Sequence, residues 1–423
     1  MEVAKMGSTR HHGPYAADLQ NTVPRLLHTA DWQIGKPYRW IEDPERRSRL
    51  QRARLDCVER VVEESLRHRV DAVVVAGDLF DSSTVDGALV MEVLELIGSI
   101  EIPVLVIPGN HDHGGAGGIW RRGDVQAELQ ERAANLQLLL QPEPLDVAGF
   151  TVLPCPLRRQ HENVSPGAWL DTLDWSRLDR DQPRVVVAHG SVQGFSAIDY
   201  DPSSPTGTNQ LHPARWDATA YDYLALGDWH SLKAVPPKGW YAGTPEPDRF
   251  PSQADDQRGQ VLIVDVKRGQ PPEVNPVETA LMRWHNEHIQ LRGHNDLVRF
   301  QARIEALTSR RVGKDLLRVE LEGSLGLKDH QALEQILERL RTRLLHLRVR
   351  GRCHRRPEAN ELNTMLQRHE APLIGSIAQQ LHNALEQTSP DQTDEIALLE
   401  TSLCELHRLC ELAAEENAVE EAA

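Results

Sequence analysis

Cysteine, long apolar runs and an excess of positive charge are what this sequence lacks. Its five cysteines (Cys57, Cys155, Cys353, Cys404 and Cys410) are scattered over 423 residues, odd in number and without CxxC spacing. That argues against a disulfide framework and a structural zinc site, and makes the cytoplasm the expected compartment. No apolar run is long enough to cross a bilayer, so no membrane partner is expected. Residues 1–22 mix Gly, Ser, His and Asp without an apolar centre, which reads as a flexible tail rather than a secretory signal. The net charge of −16 is awkward for a nucleic-acid enzyme. What matters for phosphate binding is where the bases sit, however, and they are unevenly placed. Arginine is dense from Arg339 to Arg356, whereas the chain after Asp391 is almost purely acidic, with Arg408 as its one strong base.

What is present suits a globular chain of two or three domains. Leu26 to Ala30, Asp71 to Ala76, Pro103 to Pro108, Arg184 to Ala188, Tyr223 to Leu226 and Gly259 to Val266 read as strands. Helical patterns span about Pro44 to Arg69, with Leu50, Leu55, Val58, Val61, Val62 and Leu66 on one side, and Ala88 to Ile100. Strand and helix in alternation, with polar residues at each strand's carboxyl end, is the layout of an open α/β sheet. Composition changes near Thr279. Strands at His288–Leu291, Leu316–Leu321 and Leu345–Val349, with helical patterns between them, predict a small second α/β unit. After Pro357 the pattern is helical. Ile396, Leu399, Leu403, Leu406, Cys410 and Ala413 form an a/d-like stripe, suited either to packing on the chain itself or to docking a partner. The expected divisions are therefore a tail (1–22), a catalytic domain (23–278), a small α/β domain (279–352) and a helical region (353–423).

Five strand ends carry metal-binding side chains: Asp31-Trp32-Gln33, Gly77-Asp78, Gly109-Asn110-His111-Asp112, His189-Gly190 and Gly227-Asp228-Trp229-His230. Each alone is a loop signal. As an ordered set, each following a β-rich segment, they point to one site. A phosphodiester's charge repels hydroxide. Two divalent cations about 3.5–4 Å apart neutralise it, lower the pKa of a bound water and stabilise the leaving oxygen. Holding them so close requires a bridging carboxylate with mixed oxygen and imidazole ligands.

These ordered motifs resemble the calcineurin-like metallophosphoesterases, and within them the SbcD-like nucleases of DNA-break repair. The resemblance runs by motif from about Leu26 to Phe250. Leu27-His28-Thr29-Ala30-Asp31-Trp32 and Tyr241-Ala242-Gly243-Thr244-Pro245-Glu246 are its most SbcD-like stretches. It implies a β-sandwich flanked by helices, in an α/β chain with a small α/β cap domain and C-terminal helices. By position, Asp31, Gln33 and His230 would face the first metal, Asp78 would bridge, and Asn110, His189 and Asp228 would hold the second. His111 would be no ligand but a catalytic group at the leaving oxygen, a role that suits an imidazole titrating near neutral pH. The family usually has His at Gln33 and at Asp228. The swaps make the site richer in oxygen, favouring manganese, or magnesium, over zinc. They also imply a first metal that is held loosely or fills when DNA arrives. The expected activity is an exonuclease or endonuclease on DNA. The expected partners are DNA, a second copy in a homodimer, and an SbcC-like coiled-coil ATPase held by the C-terminal helices, the small domain facing DNA.

Softer features remain open. The glycine-rich stretch His113 to Gly118 can admit a phosphate or be a plain surface loop. Trp32, Trp120 and Trp229 can stack on nucleotides, although burial of at least two is expected. Arg339, Arg341, Arg343, Arg348, Arg350 and Arg352 can form a phosphate-contacting face or solvated surfaces. A small phosphodiester as substrate, or a catalytically weak DNA-end scaffold, are the rival readings.

Overall fold

Segments such as Ala72–Ala76, apolar at every position, are stable as strands only where both faces are covered. The computed structural model describes residues 23–192, 207–253, 255–308, 311–367, 372–389 and 391–422. The tail expected over 1–22 lies outside them. The described residues divide into two compact units. The first holds 23–37, Arg54–Glu246 and Gln257–Ala280, and the second Tyr38–Ala53, Pro247–Asp256 and Leu281–Ala423.

In the first unit the order is β1 (Arg25–Thr29), α1 (Pro44–Arg67, this unit from Arg54), β2 (Ala72–Ala76), α2 (Gly87–Gly98), β3 (Val104–Ile107), α3 (Gly123–Arg132), β4 (Leu136–Leu138), β5 (Leu145–Val147) and β6 (Phe150–Cys155). There follow β7 (Arg184–His189), β8 (Ser191–Val192), β9 (Gln210–Leu211), β10 (Tyr223–Gly227), β11 (Lys233–Val235), β12 (Gly239–Tyr241), β13 (Gln260–Asp265) and β14 (Glu273–Glu278). Rather than the single open sheet suggested by the strand–helix alternation, and as the resemblance implied, twelve of these strands form two six-stranded sheets, β14-β13-β1-β2-β3-β4 and β11-β12-β10-β7-β6-β5, while β8 pairs with β9. The two large sheets pack face to face as a β-sandwich. Leu26, Val74, Leu105 and Ile107 of one meet Phe150, Val152, Val187 and Tyr223 of the other. The alternate residues Leu27, Val73, Val75, Val104 and Val106 pack outward against Leu55, Val58 and Val61 of α1 and Val90, Val93 and Leu94 of α2. That double burial is why the strands read as unbroken apolar runs. Leu66, read as part of the α1 stripe, is instead exposed in the helix's last turn.

The second unit contains β15 (Arg283–Leu291), α4 (His294–Thr308), β16 (Asp315–Leu325), α5 (Leu327–Arg343), β17 (His346–Gly351), β18 (His354–Arg355), α6 (Ala359–Leu366), α7 (Pro372–Gln387) and α8 (Thr393–Ala422). Strands β15, β16 and β17 are parallel, and one face of their sheet is covered by α4 and α5 through Leu317, Val319, Leu321, Phe300, Ile304, Leu333 and Leu337. Of the a/d-like stripe on α8, Leu403 is buried and packs with Leu406 against Met365 and Ala378. Among the described residues, the large apolar side chains left exposed on α7 and α8 are different ones, Leu373, Ile377, Leu398, Leu409 and Leu412. Among the described residues no helix is long and apolar enough to cross a membrane.

Candidate metal centre

Parallel strands in both sheets end at one place, and their carboxyl-end loops carry the ordered motifs. Asp31 follows β1, Asp78 follows β2 and Asn110 follows β3. His189 ends β7, and Asp228 follows β10. Four of these loop residues, Asp31, Gln33, Asp78 and Asp228, take positive φ (54°, 43°, 55° and 98°). A side chain held there costs about 1–3 kcal/mol and persists only where its surroundings enforce it. Glycines make the approach possible. A Cβ on Gly77 (φ +91°) would lie 2.2 Å from His189 Nδ1, and one on Gly109 2.1 Å from Asp78 Oδ1. Gly77→Ala is therefore expected to destabilise the protein by more than ~1 kcal/mol and to displace His189, which thermal melts with and without manganese would register as lost metal-induced stabilisation.

Asp31, Asp78 and His189 are buried, with donor atoms within 4.8 Å of one another, close enough to hold a metal ion together. His189 Nδ1 lies 2.8 Å from the carbonyl of Ala76, which can only accept, so that nitrogen carries the proton. Its Nε2 then faces Asn110 Oδ1 at 2.8 Å, Asp78 Oδ1 at 3.6 Å and Asp228 Oδ1 at 3.8 Å. In a neutral ring two lone pairs 2.8 Å apart need a proton or a cation between them. Neighbouring ligands on one ion, each at about 2.0–2.2 Å, lie about 3 Å apart, so the donor set fits a divalent metal. Nearby, Gln33 Nε2 is 3.3 Å from His230 Nε2. Asp31 accepts from the backbone N–H of Asp228 at 3.1 Å. Asp228 is steadied by Ser191 Oγ, which donates to Oδ2 at 3.0 Å.

His111 is fixed differently. Its ring Nδ1 lies 2.8 Å from the carbonyl of Asp81, which leaves Nε2 turned toward Asp78 Oδ2 at 4.0 Å. Its backbone N–H donates to Asp78 Oδ1 at 2.9 Å. The structure thus brings together Asp31, Gln33, Asp78, Asn110, His111, His189, Asp228 and His230.

Three supporting residues escaped the sequence reading. Asp112 accepts from the backbone N–H groups of Gly109 (2.7 Å), Leu79 (2.9 Å) and Asp78 (3.2 Å), tying the Asp78 turn to the Asn110 turn. Its place in Gly109-Asn110-His111-Asp112 was the available signal. Buried Arg54 donates to the carbonyls of Trp32 and Glu246, and so joins the loop after β1 to the loop after β12. Ser191 is the third. The glycine-rich stretch is no plain surface loop. Cβ atoms on Gly115 and Gly118 would strike the carbonyls of Arg158 and His113 at 2.0 and 1.9 Å. Trp32 and Trp120 are buried, and Trp229 is half-buried.

The electrostatics explain why the cluster wants a cation. Burial raises Asp31, and its carboxylate neighbours Asp78 and Asp228 add to the push against His189. Burial also pushes Asp78 up, but His189 and His111 outweigh it and hold that carboxyl below its ordinary range. Burial lowers His189, yet Asp78, Asp31 and Asp228 more than reverse this and bring it to about 9. Without metal, both raised groups bind protons more tightly folded than unfolded. Their contribution to stability is whole at low pH; that of His189 is intact below about 6.5 and gone as pH passes about 9. Metal replaces those protons. The rise in Tm on adding manganese to stripped protein is thus expected to widen from pH 6.5 to 9, and a constant difference would contradict it.

Residues 24–256 match the family model described as calcineurin-like phosphoesterase. Over 257 residues the chain is 29% identical to the DNA double-strand break repair protein Mre11 of Haloferax volcanii, covering 58% of this chain and 52% of that protein. It is 26% identical over 255 residues to the SbcD subunit of the SbcCD nuclease of Escherichia coli K12, covering 53% and 61%. A Mre11 of Methanosarcina acetivorans is 40% identical over 220 residues, covering 50% and 31%. The chain thus spans between about a third and three fifths of the length of these relatives. With a family match over more than half its length, and a buried donor set at the ends of two facing sheets, the chain belongs to the calcineurin-like phosphoesterases, metal-dependent hydrolases of phosphate esters.

Proposed function

We propose that this chain is a manganese-dependent nuclease that hydrolyses phosphodiester bonds at DNA ends in break repair. The observation that carries the reading is the buried donor set with a half-buried histidine, His111, at its rim. The relatives' names, one a component of a nuclease and the other a DNA double-strand break repair protein, supply the substrate class. Asp78 would serve both ions, with Asn110, His189 and Asp228 holding one and Asp31 and His230, with Gln33 alongside, holding the other. When bound, two divalent ions, manganese or else magnesium on so oxygen-rich a set, neutralise phosphate charge and acidify water. His111 keeps its Nδ1 proton on the Asp81 carbonyl and gives a proton from Nε2 to the departing oxygen.

The second unit would carry the DNA-facing and partner-binding roles, over 279–352 and 353–423. Arg341, Arg343 and Arg352 are each paired with a glutamate. Arg348 and Arg350 stand exposed on β17 beside Arg318, and are the better phosphate contacts. Exposed Leu373, Leu398, Leu409 and Leu412 suit a coiled-coil ATPase of the SbcC type, with the chain itself as a homodimer. Competition tests the substrate. With bis(p-nitrophenyl) phosphate as reporter and manganese present, linear duplex DNA is expected to inhibit at far lower phosphate concentration than mononucleotides. Mononucleotides inhibiting as well as DNA would point to a small phosphodiester instead.

A further inference from the structure

The backbone places Lys36 directly against Gln33. The N–H of Gln33 donates to the carbonyl of Asp78 at 2.8 Å and that of Ile34 to Leu79 at 2.9 Å, zipping the loop after β1 onto the loop after β2. Gly35 then turns at φ +93°, where a Cβ would sit 2.7 Å from a Val85 methyl, and the N–H of Lys36 closes back on the carbonyl of Gln33 at 3.1 Å. This returns the half-buried Lys36 side chain to Gln33, and its ammonium donates to Gln33 Oε1 at 2.5 Å. The amide nitrogen of Gln33 is turned to His230. The one atom by which Gln33 could ligate a metal is therefore engaged by a positive charge.

We propose that Lys36 is a resident cation of this centre: it weakens divalent binding on the Asp31–His230 side and takes a non-bridging oxygen of the substrate phosphate. An ammonium is a compact point charge suited to phosphate. An arriving phosphate is a stronger acceptor than a neutral amide, so Lys36 transfers its hydrogen bond and Gln33 Oε1 is released toward the metal. Phosphate and the second ion then favour each other's binding, reciprocally. The phosphate half of this proposal rests on the phosphodiesterase reading.

The test titrates manganese into the metal-stripped full chain by electron paramagnetic resonance, with and without inorganic phosphate, for the parent, Lys36→Met and Lys36→Arg. Melting curves confirm that each variant is folded. The parent should bind one ion tightly and a second about tenfold more weakly or worse, the gap narrowing with phosphate. Lys36→Met should bring the two affinities within about threefold and weaken phosphate binding about tenfold. Lys36→Arg should keep phosphate affinity within about threefold of the parent. Two equal ions in the parent, or unchanged manganese or phosphate binding in Lys36→Met, would overturn the proposal. Both ligands are read directly, so a chain that met these expectations yet cut no DNA would sink the nuclease reading and leave this one standing.

Discussion

Asp78→Ala should lower phosphodiester hydrolysis by about 10³-fold or more, because Asp78 as the proposed shared ligand would supply several kcal/mol of charge stabilisation and each 1.36 kcal/mol is tenfold in rate. Asp78 lies close to two of the three histidines of the centre. Its Oδ1 is 3.6 Å from His189 Nε2 and its Oδ2 is 4.0 Å from His111 Nε2. It also accepts the backbone N–H that fixes the His111 turn. The substitution removes the ligand and that anchor together, so metal content should fall with activity. Measuring kcat beside bound manganese checks both. Activity within tenfold of the parent, at full metal content, would contradict the bridging role.

His111→Ala should cost about 10²–10⁴-fold in kcat, the usual range for a general acid, while leaving manganese binding near that of the parent. Its proton matters only where the leaving oxygen is a poor leaving group. DNA releases an alkoxide that needs the proton, whereas p-nitrophenolate does not. The loss should therefore be large on DNA and much smaller on bis(p-nitrophenyl) phosphate. An equal loss on both esters would show that His111 works by positioning or charge rather than by proton transfer.

Much of this site is legible in the sequence because its candidate ligands follow short strands buried on both faces, which betray themselves as runs such as Val73-Val74-Val75. What lies between the ligands is less legible. Nothing local in Val74 or Val187 says that they belong to different sheets and meet across the sandwich core. β14 is paired on one side only, is largely exposed and carries Pro276, which an edge strand tolerates but a strand pattern does not reveal. β4, β5 and β11 are three residues each, too short for a period to show. Arg54 is hidden for another reason. A charged residue within an amphipathic helix reads as solvated, yet here its guanidinium is buried, satisfied by carbonyls from two distant loops. Lys36 is similarly silent, since its meaning comes from the turn at Gly35 rather than from its spacing.

The α8 stripe shows the converse. Its a/d pattern is real, but Leu403 and Leu406 serve an internal core. The side chains available to a partner, Leu398, Leu409 and Leu412, fall outside the pattern that drew notice.

The most direct test of the central claim is cleavage of end-labelled linear DNA by the full chain with manganese, magnesium or zinc, parent beside Asp78→Ala. Manganese-dependent cutting by the parent, abolished in the variant, is the predicted result. A metal-loaded parent that cuts no DNA, or a variant that cuts as the parent does, would contradict it.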